Sequence, residues 1–228
     1  MKEQIPLTIQ FDEILNFANF LNGRNQQAID HLKSLQTQHG HAIFLHGIPG
    51  CGKTHLAQAT FHSYNEHGLV AGYIDAKEGG IAPIMLDGLD KYDCLIIDGI
   101  EAIIADRDWQ EALFHCFNRF IQRGANLLFS STQSPAELND ILPDLSSRLL
   151  SGLVFQLKEL SDDEKLAALQ ARAKEFGMEL SREVGQFWLT HGSRENTILF
   201  PQLRQLDQAS LRHKRRLTIP FLKDILKM

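Results

Sequence analysis

HAIFLHGIPGCGKT, residues 41–54, decides the fold. A short apolar run, Ala42 to Leu45, leads into the glycine-rich GIPGCGKT (47–54), and the stretch Thr54–His67 reads as a helix. The loop fits G-x-x-x-x-G-K-[ST] and stands in the strand–loop–helix setting that its chemistry requires. Gly47, Gly50 and Gly52 let backbone N–H groups turn inward around phosphate oxygens. Ile48, Pro49 and Cys51 complete the loop, and His55 follows it in the first helical turn. Lys53 reaches toward β- and γ-phosphates, Thr54 offers a hydroxyl to Mg2+, and the helix N-terminus favours negative charge. A plain glycine-rich turn is the alternative, and the flanking strand and helix argue against it. The stretch marks a nucleotide-binding site.

The surrounding pattern fits that site. LVAGYID (69–75), CLIIDG (94–99), NLLFSST (126–132) and GLVFQL (152–157) read as further strands. CLIIDG is apolar throughout until its end, as a strand buried on both faces of a parallel sheet should be. A helical pattern at 25–35 precedes the first strand, and others fall between strands at 54–67, about 83–90 and 109–123, the last with Leu113, Phe114, Phe117, Phe120 and Ile121 on one stripe. Alternating strands and helices imply an α/β parallel sheet with right-handed crossovers. Asp98, at the end of its strand, is placed to hold Mg2+ through the nucleotide. Gly99 follows, so the second acid that many nucleotide hydrolases use to orient water is missing, and Glu101 lies two residues on. The chain alone is therefore expected to hydrolyse ATP slowly or not at all.

After Leu157 the pattern becomes helical throughout, at about 161–176, 181–191, 196–213 and 218–227. Ser161 and Glu164 form a capping-box signature at its start. The expected organisation is an extended segment 1–12, an α/β domain 13–157 and a small all-helical domain 158–228.

Composition sets outer limits. The chain has 228 residues, 43% hydrophobic and 22% charged, with a net charge of −5 and a pI near 6.0. That is the wrong sign for wrapping nucleic acid with the whole surface, and HKRR (213–216) reads as a solvated helix end. Cys51, Cys94 and Cys116 lack CxxC spacing, which argues against a zinc site or a disulfide framework and fits a cytoplasmic protein. His39, His41 and His46 flank a strand without an acidic third ligand and do not suggest a metal. No apolar run approaches the roughly 20 residues of a membrane span.

The order of GIPGCGKT, LIIDGIEAI (95–103), EALFHCFNRF (111–120), LLFSST (127–132) and LPDLSSRLLSG (142–152), with helices to follow, resembles the AAA+ module of the DnaA/Hda family. QIPLTI (4–9) and QLDQASLRHKRRLTIPFLKDILK (205–227) are similar to its shortened, Hda-type members, and the resemblance spans essentially the whole chain. It implies an AAA+ α/β domain with a helical lid, binding ADP or another nucleoside diphosphate, with ATP as the alternative, and Mg2+. It also implies docking on the DNA-loaded sliding clamp, the β subunit of DNA polymerase III, and stimulation of ATP hydrolysis by DnaA, which turns replication initiation down. Gln4, Ile5, Leu7 and Ile9 would be the clamp-binding peptide, an extended segment inserting side chains into a groove.

Arg148 matches the family's arginine finger, a catalytic residue acting in trans; a surface salt-bridging arginine is the other reading. Thr132 stands at the polar sensor position, where the family usually has Asp. The second sensor, normally Arg, falls at Thr197, and Arg194 one turn earlier could substitute. Phe20, Leu21 and Asn22 in FANFLNGRN (17–25) would pack over the base. Two rivals stay in view. A self-sufficient AAA+ ATPase of the DnaA or DnaC type remodels DNA or loads helicase, but the C-terminal DNA-binding domain of DnaA has no counterpart here. A small-molecule kinase would need an acceptor lid, which residues 76–92 do not resemble. AAA+ modules self-associate when one subunit's finger completes its neighbour's site, so a homo-oligomer is left open.

Overall fold

The computed structural model describes residues 15–89, 91–213 and 216–228. The candidate clamp peptide, Gln4, Ile5, Leu7 and Ile9, lies outside them, as does the side chain of Thr197. The first part of the chain runs α1 (Gln26–Ser34), β1 (Ala42–His46), α2 (Lys53–Glu66), β2 (Ala71–Asp75), β3 (Cys94–Asp98), α3 (Arg107–Gln122), β4 (Asn126–Ser131), α4 (Pro143–Ser151) and β5 (Leu153–Gln156). Four helices follow: α5 (Asp162–Glu175), α6 (Arg182–His191), α7 (Asn196–His213) and α8 (Ile219–Leu226).

The five strands form one parallel sheet in the order β2-β3-β4-β1-β5. Alternation along β1 divides the core. Ile43 and Leu45 face α1 and α2, with Ile29, Leu32, Leu56, Tyr73, Ile96 and Leu128. Phe44 faces the opposite layer, with Leu95, Ile97, Leu127, Phe129 and the α3 stripe of Leu113, Phe117 and Phe120. Both faces of the sheet are covered, which is why β3 is apolar at consecutive positions. A third cluster, from Leu166 to Leu222 around a fully buried Trp188, belongs to the four C-terminal helices.

Local chemistry explains several boundaries. Asp106 caps α3 by accepting a hydrogen bond from the Asp108 N–H at 2.8 Å, and α5 opens on the capping box read from Ser161 and Glu164. Asn126, only 3% exposed at the head of β4, gives its amide to the Leu35, Gln38 and Tyr64 oxygens and accepts from the His41 N–H. That satisfies a polar group which would otherwise cost about 1–3 kcal/mol to bury.

Two elements differ from the sequence reading. The helix expected over about 83–90 is a single 3-10 turn, Pro83–Leu86, ended by Asp87, whose backbone is extended at φ −84° and ψ 146°; Gly88 follows with a positive φ of 70°. The LPDLSSRLLSG segment contains α4, for which no helix was read. It is a short, serine-rich helix whose only deeply buried positions, Leu145 and Leu149, are one turn apart, too little periodicity to stand out.

Candidate nucleotide-binding site

Crossover from β1 to β2 skips over β4 and β3 in the sheet order, so the phosphate loop leaves the carboxyl edge where neighbouring connections diverge. Ligands of open α/β sheets collect at such points. Gly47, Gly50 and Gly52 have φ of 151°, 78° and 102°, values at which a side chain would be strained. Gly52 also lies close under the Phe20 ring, where a Cβ would stand 2.6 Å from Cε2. Lys53 is 7% exposed and donates to the Gly47 and Ile48 carbonyls at 2.7 and 2.9 Å, so its ammonium is held at the mouth of the loop. Ile48, Pro49 and Thr54 are exposed. Cys51 is buried beside Lys53, and burial raises its thiol pKa despite that cation.

A cavity of about 590 Å³ opens beside this loop. Gly50, Cys51, Gly52 and His55 form one wall, Phe20 and Leu21 another, and Ala168, Ala171, Phe200 and Pro201 of α5 and α7 a third. Most of this lining is apolar, as a slot for a planar base requires. His55 Nε2 lies 3.0 Å from both the Asn16 carbonyl and Asn19 Oδ1, and its ring meets Phe20 edge to face. The segment is fastened further along: Asn25 exchanges hydrogen bonds with the Lys158 backbone at 3.0 and 2.7 Å. Nothing in the sequence pattern signals that clasp.

At the end of β3, Asp98 is 4% exposed. Tyr73 donates to its Oδ2 at 3.0 Å and Ser130 donates to its Oδ1. Burial, and next the charge of Asp98, push the Tyr73 pKa up, so the phenol keeps the proton it donates. The sequence reading missed Tyr73. It placed the sensor at Thr132, which is half-buried, yet the hydroxyl bound to Asp98 is that of Ser130, one inward-facing step earlier.

The second-acid position is shaped against an acid. Gly99 has φ +80°, and the methylenes of Lys77 cover it. Lys77 Nζ stands 3.7 Å from Glu101 Oε1. Both Glu101 carboxylate oxygens are shut off from solvent without a hydrogen-bond partner among the described residues. Gly99→Glu would place a Cβ 2.7 Å from Lys77 Cε. Lys77 can swing aside, but the left-handed backbone still costs about 1–2 kcal/mol. The expected outcome is a lower melting temperature and no gain in ATP turnover, checked by thermal unfolding and phosphate release.

Other expected residues fall elsewhere. Asn22 does not line the cavity; its Nδ2 donates to Gln26 Oε1 at 2.7 Å. Arg194 is also outside it, donating to the Leu189 carbonyl at 3.1 Å and pairing with Asp162 at 3.4 Å. Arg148 is exposed on α4, apart from the residues lining the cavity. Among the described residues, no group of three or more His, Cys, Asp or Glu side chains could hold a metal, and no helix is long and apolar enough to cross a membrane.

The parallel sheet, its strand order, the phosphate loop and the trailing helices define an AAA+ module. The sequence matches the description of the bacterial DnaA ATPase domain over residues 84–156 and that of the Hda lid domain over residues 162–226, together more than half the chain. The chain belongs to the DnaA/Hda family of AAA+ proteins.

Solved structures agree on the fold. Domain III of the Thermotoga maritima replication initiation protein DnaA is 23% identical with a TM-score of 0.80, covering 96% of this chain and 98% of that one. Aquifex aeolicus DnaA bound to AMPPCP is 21% identical with a TM-score of 0.73, over 88% and 69%. A replication initiator DnaA bound to AMPPCP and single-stranded DNA is 22% identical with a TM-score of 0.74, over 88% and 68%.

Proposed function

We propose that this protein is a nucleotide-dependent regulator of replication initiation: it binds ADP, docks on the DNA-loaded sliding clamp through residues 4–9, and activates ATP hydrolysis by DnaA. The observation that carries this reading is a division of labour within the chain. Its own second-acid position is Gly99, covered by Lys77, while Arg148 stands exposed on α4. A protein so equipped can hold a nucleotide while completing another subunit's catalytic site. The phosphate loop, the cavity beside it and the Hda-type lid support the nucleotide part, with Lys53 on the phosphates and Phe20 and Leu21 toward the base. Mg2+ would bind through Thr54 and Asp98 and would neutralise phosphate charge there.

The test combines the purified protein, DnaA loaded with ATP and clamp loaded on DNA, and follows hydrolysis of the DnaA-bound nucleotide. Stimulation is expected, and its absence with the intact chain sinks the regulator reading. Turnover of ATP at tens per minute by the protein alone would instead favour a self-sufficient ATPase. Gln4→Ala is expected to lose clamp binding first, by about 1–2 kcal/mol or roughly 5- to 30-fold, with nucleotide affinity unchanged. A pull-down on DNA-loaded clamp beside an ADP titration checks both halves.

A further inference from the structure

The cavity beside the phosphate loop changes character along its length. Its helical wall begins at that loop, where Asn196, the first residue of α7, donates from Nδ2 to the Gly50 carbonyl at 2.9 Å. α5 starts beside it, with Lys165 Nζ donating to the Arg194 carbonyl at 2.8 Å. Ala168 and Ala171 on α5, with Phe200 and Pro201 on α7, give the apolar middle. One turn further along each helix the lining becomes charged: Arg172 and Glu175 on α5, Arg204 on α7. Arg204 lies eight residues beyond Asn196, about 12 Å of helical rise, so this end stands away from the phosphate loop.

The charged groups are accessible and held in place. Arg172 Nη1 donates to Glu175 Oε2 at 2.6 Å, the two side chains being 12% and 46% exposed. The Arg172 guanidinium also lies over the Phe176 ring, 5.7 Å from its centroid. Glu175 is the last residue of α5, where the helix dipole disfavours a negative charge, so helix stability does not account for it. A carboxylate offers about four lone-pair sites, and the arginine leaves Glu175 with acceptor capacity on the cavity. A base in the apolar middle, its phosphates on the loop, presents its edge to this end. Exocyclic amines are the donors on such an edge, and a carboxylate suits them.

We propose that Glu175, positioned by Arg172, is a base-specificity residue, its carboxylate accepting a hydrogen bond from the exocyclic amine of the bound nucleotide's base. This rests on the reading of the cavity as a nucleotide site. The helical domain then reads the base, and the loop holds the phosphates.

Calorimetric titration of the full chain tests the proposal in wild type, Glu175→Ala and Glu175→Gln. The ligands are ADP, CDP as a second amine-bearing nucleotide, and purine riboside 5′-diphosphate, which keeps the purine ring without the amine. Wild type is expected to bind ADP roughly 10-fold more tightly than the purine riboside, the low end for a hydrogen bond to a charged group because Glu175 is partly open to water. Glu175→Ala should erase that preference by weakening ADP alone. Glu175→Gln keeps a carbonyl acceptor without the charge and should retain a preference of roughly 3-fold. Equal affinity of wild type for ADP and the purine riboside overturns the proposal, as does a preference that survives Glu175→Ala. If Glu175→Ala weakens both ligands equally, the ion pair only braces the helical wall, and the proposal is overturned in that case too. Failure of wild type to bind any of the three would overturn the nucleotide site itself, a separate outcome.

Discussion

Replacing Arg148 by alanine is expected to cut stimulation of DnaA-bound ATP hydrolysis by about 10³-fold or more, the range an arginine supplied in trans contributes to phosphoryl transfer. The fold makes the variant clean. Leu145 and Leu149 anchor α4 at 0% and 2% exposure, while Arg148 is exposed on its outer side. The backbone carbonyl of Arg148 accepts from Ser151 Oγ at 2.7 Å, and that bond survives truncation. Stability should therefore change by no more than about 0.5 kcal/mol, and clamp and nucleotide binding should match wild type. Arg148→Lys separates charge from geometry: a lysine keeps the charge but not the planar fork, so partial stimulation is expected. Single-turnover hydrolysis with wild type and both variants at matched clamp occupancy checks this. Full stimulation by Arg148→Ala would return the residue to an ordinary surface arginine.

How much of this was legible beforehand follows from range. Phosphate loops, apolar strands and capping boxes are local, so the GIPGCGKT stretch, β3 and the start of α5 could be read from spacing alone. Phe20 and Leu21 were reached only through family resemblance, and they do line the cavity. What escaped depends on contacts distant in sequence. Tyr73 and Ser130 meet Asp98 from separations of 25 and 32 residues. Asn196 reaches Gly50 across 146. Polar side chains of this kind carry no periodic signal, because a lone Asn or Ser on a helix or strand end looks solvated until the fold buries it. Family resemblance puts Thr132 at the sensor position; it lies two residues past Ser130, just beyond the end of β4, and only the fold shows which hydroxyl reaches Asp98. The Lys77 cover over Gly99 was equally hidden, and it strengthens the expectation drawn from Gly99 alone.

Lys53→Ala is expected to abolish practical nucleotide binding. The ammonium sits between the Gly47 and Ile48 carbonyls at 2.7 and 2.9 Å, buried to 7% exposure, where bulk water screens it weakly. Truncating one partner of a buried, hydrogen-bonded charge pair costs about 2–5 kcal/mol, which is roughly 30- to 5,000-fold in Kd. The unliganded protein should tolerate the change far better. Ile48 is exposed at 52%, so water replaces the lysine at that carbonyl, and removing a buried cation recovers part of its desolvation cost. The two effects separate in one melting experiment. At ADP a hundredfold above its Kd, wild type gains about 2.7 kcal/mol, or about 5–10 °C in a chain of this size, while Lys53→Ala should show almost no ligand-induced shift. The same variant distinguishes two ways in which the nucleotide could matter. If Lys53→Ala also loses stimulation of DnaA although Arg148 is intact, the bound nucleotide sets the shape that presents α4. If stimulation persists without nucleotide, the helical domain and the sheet hold that shape unaided, and the site serves another end.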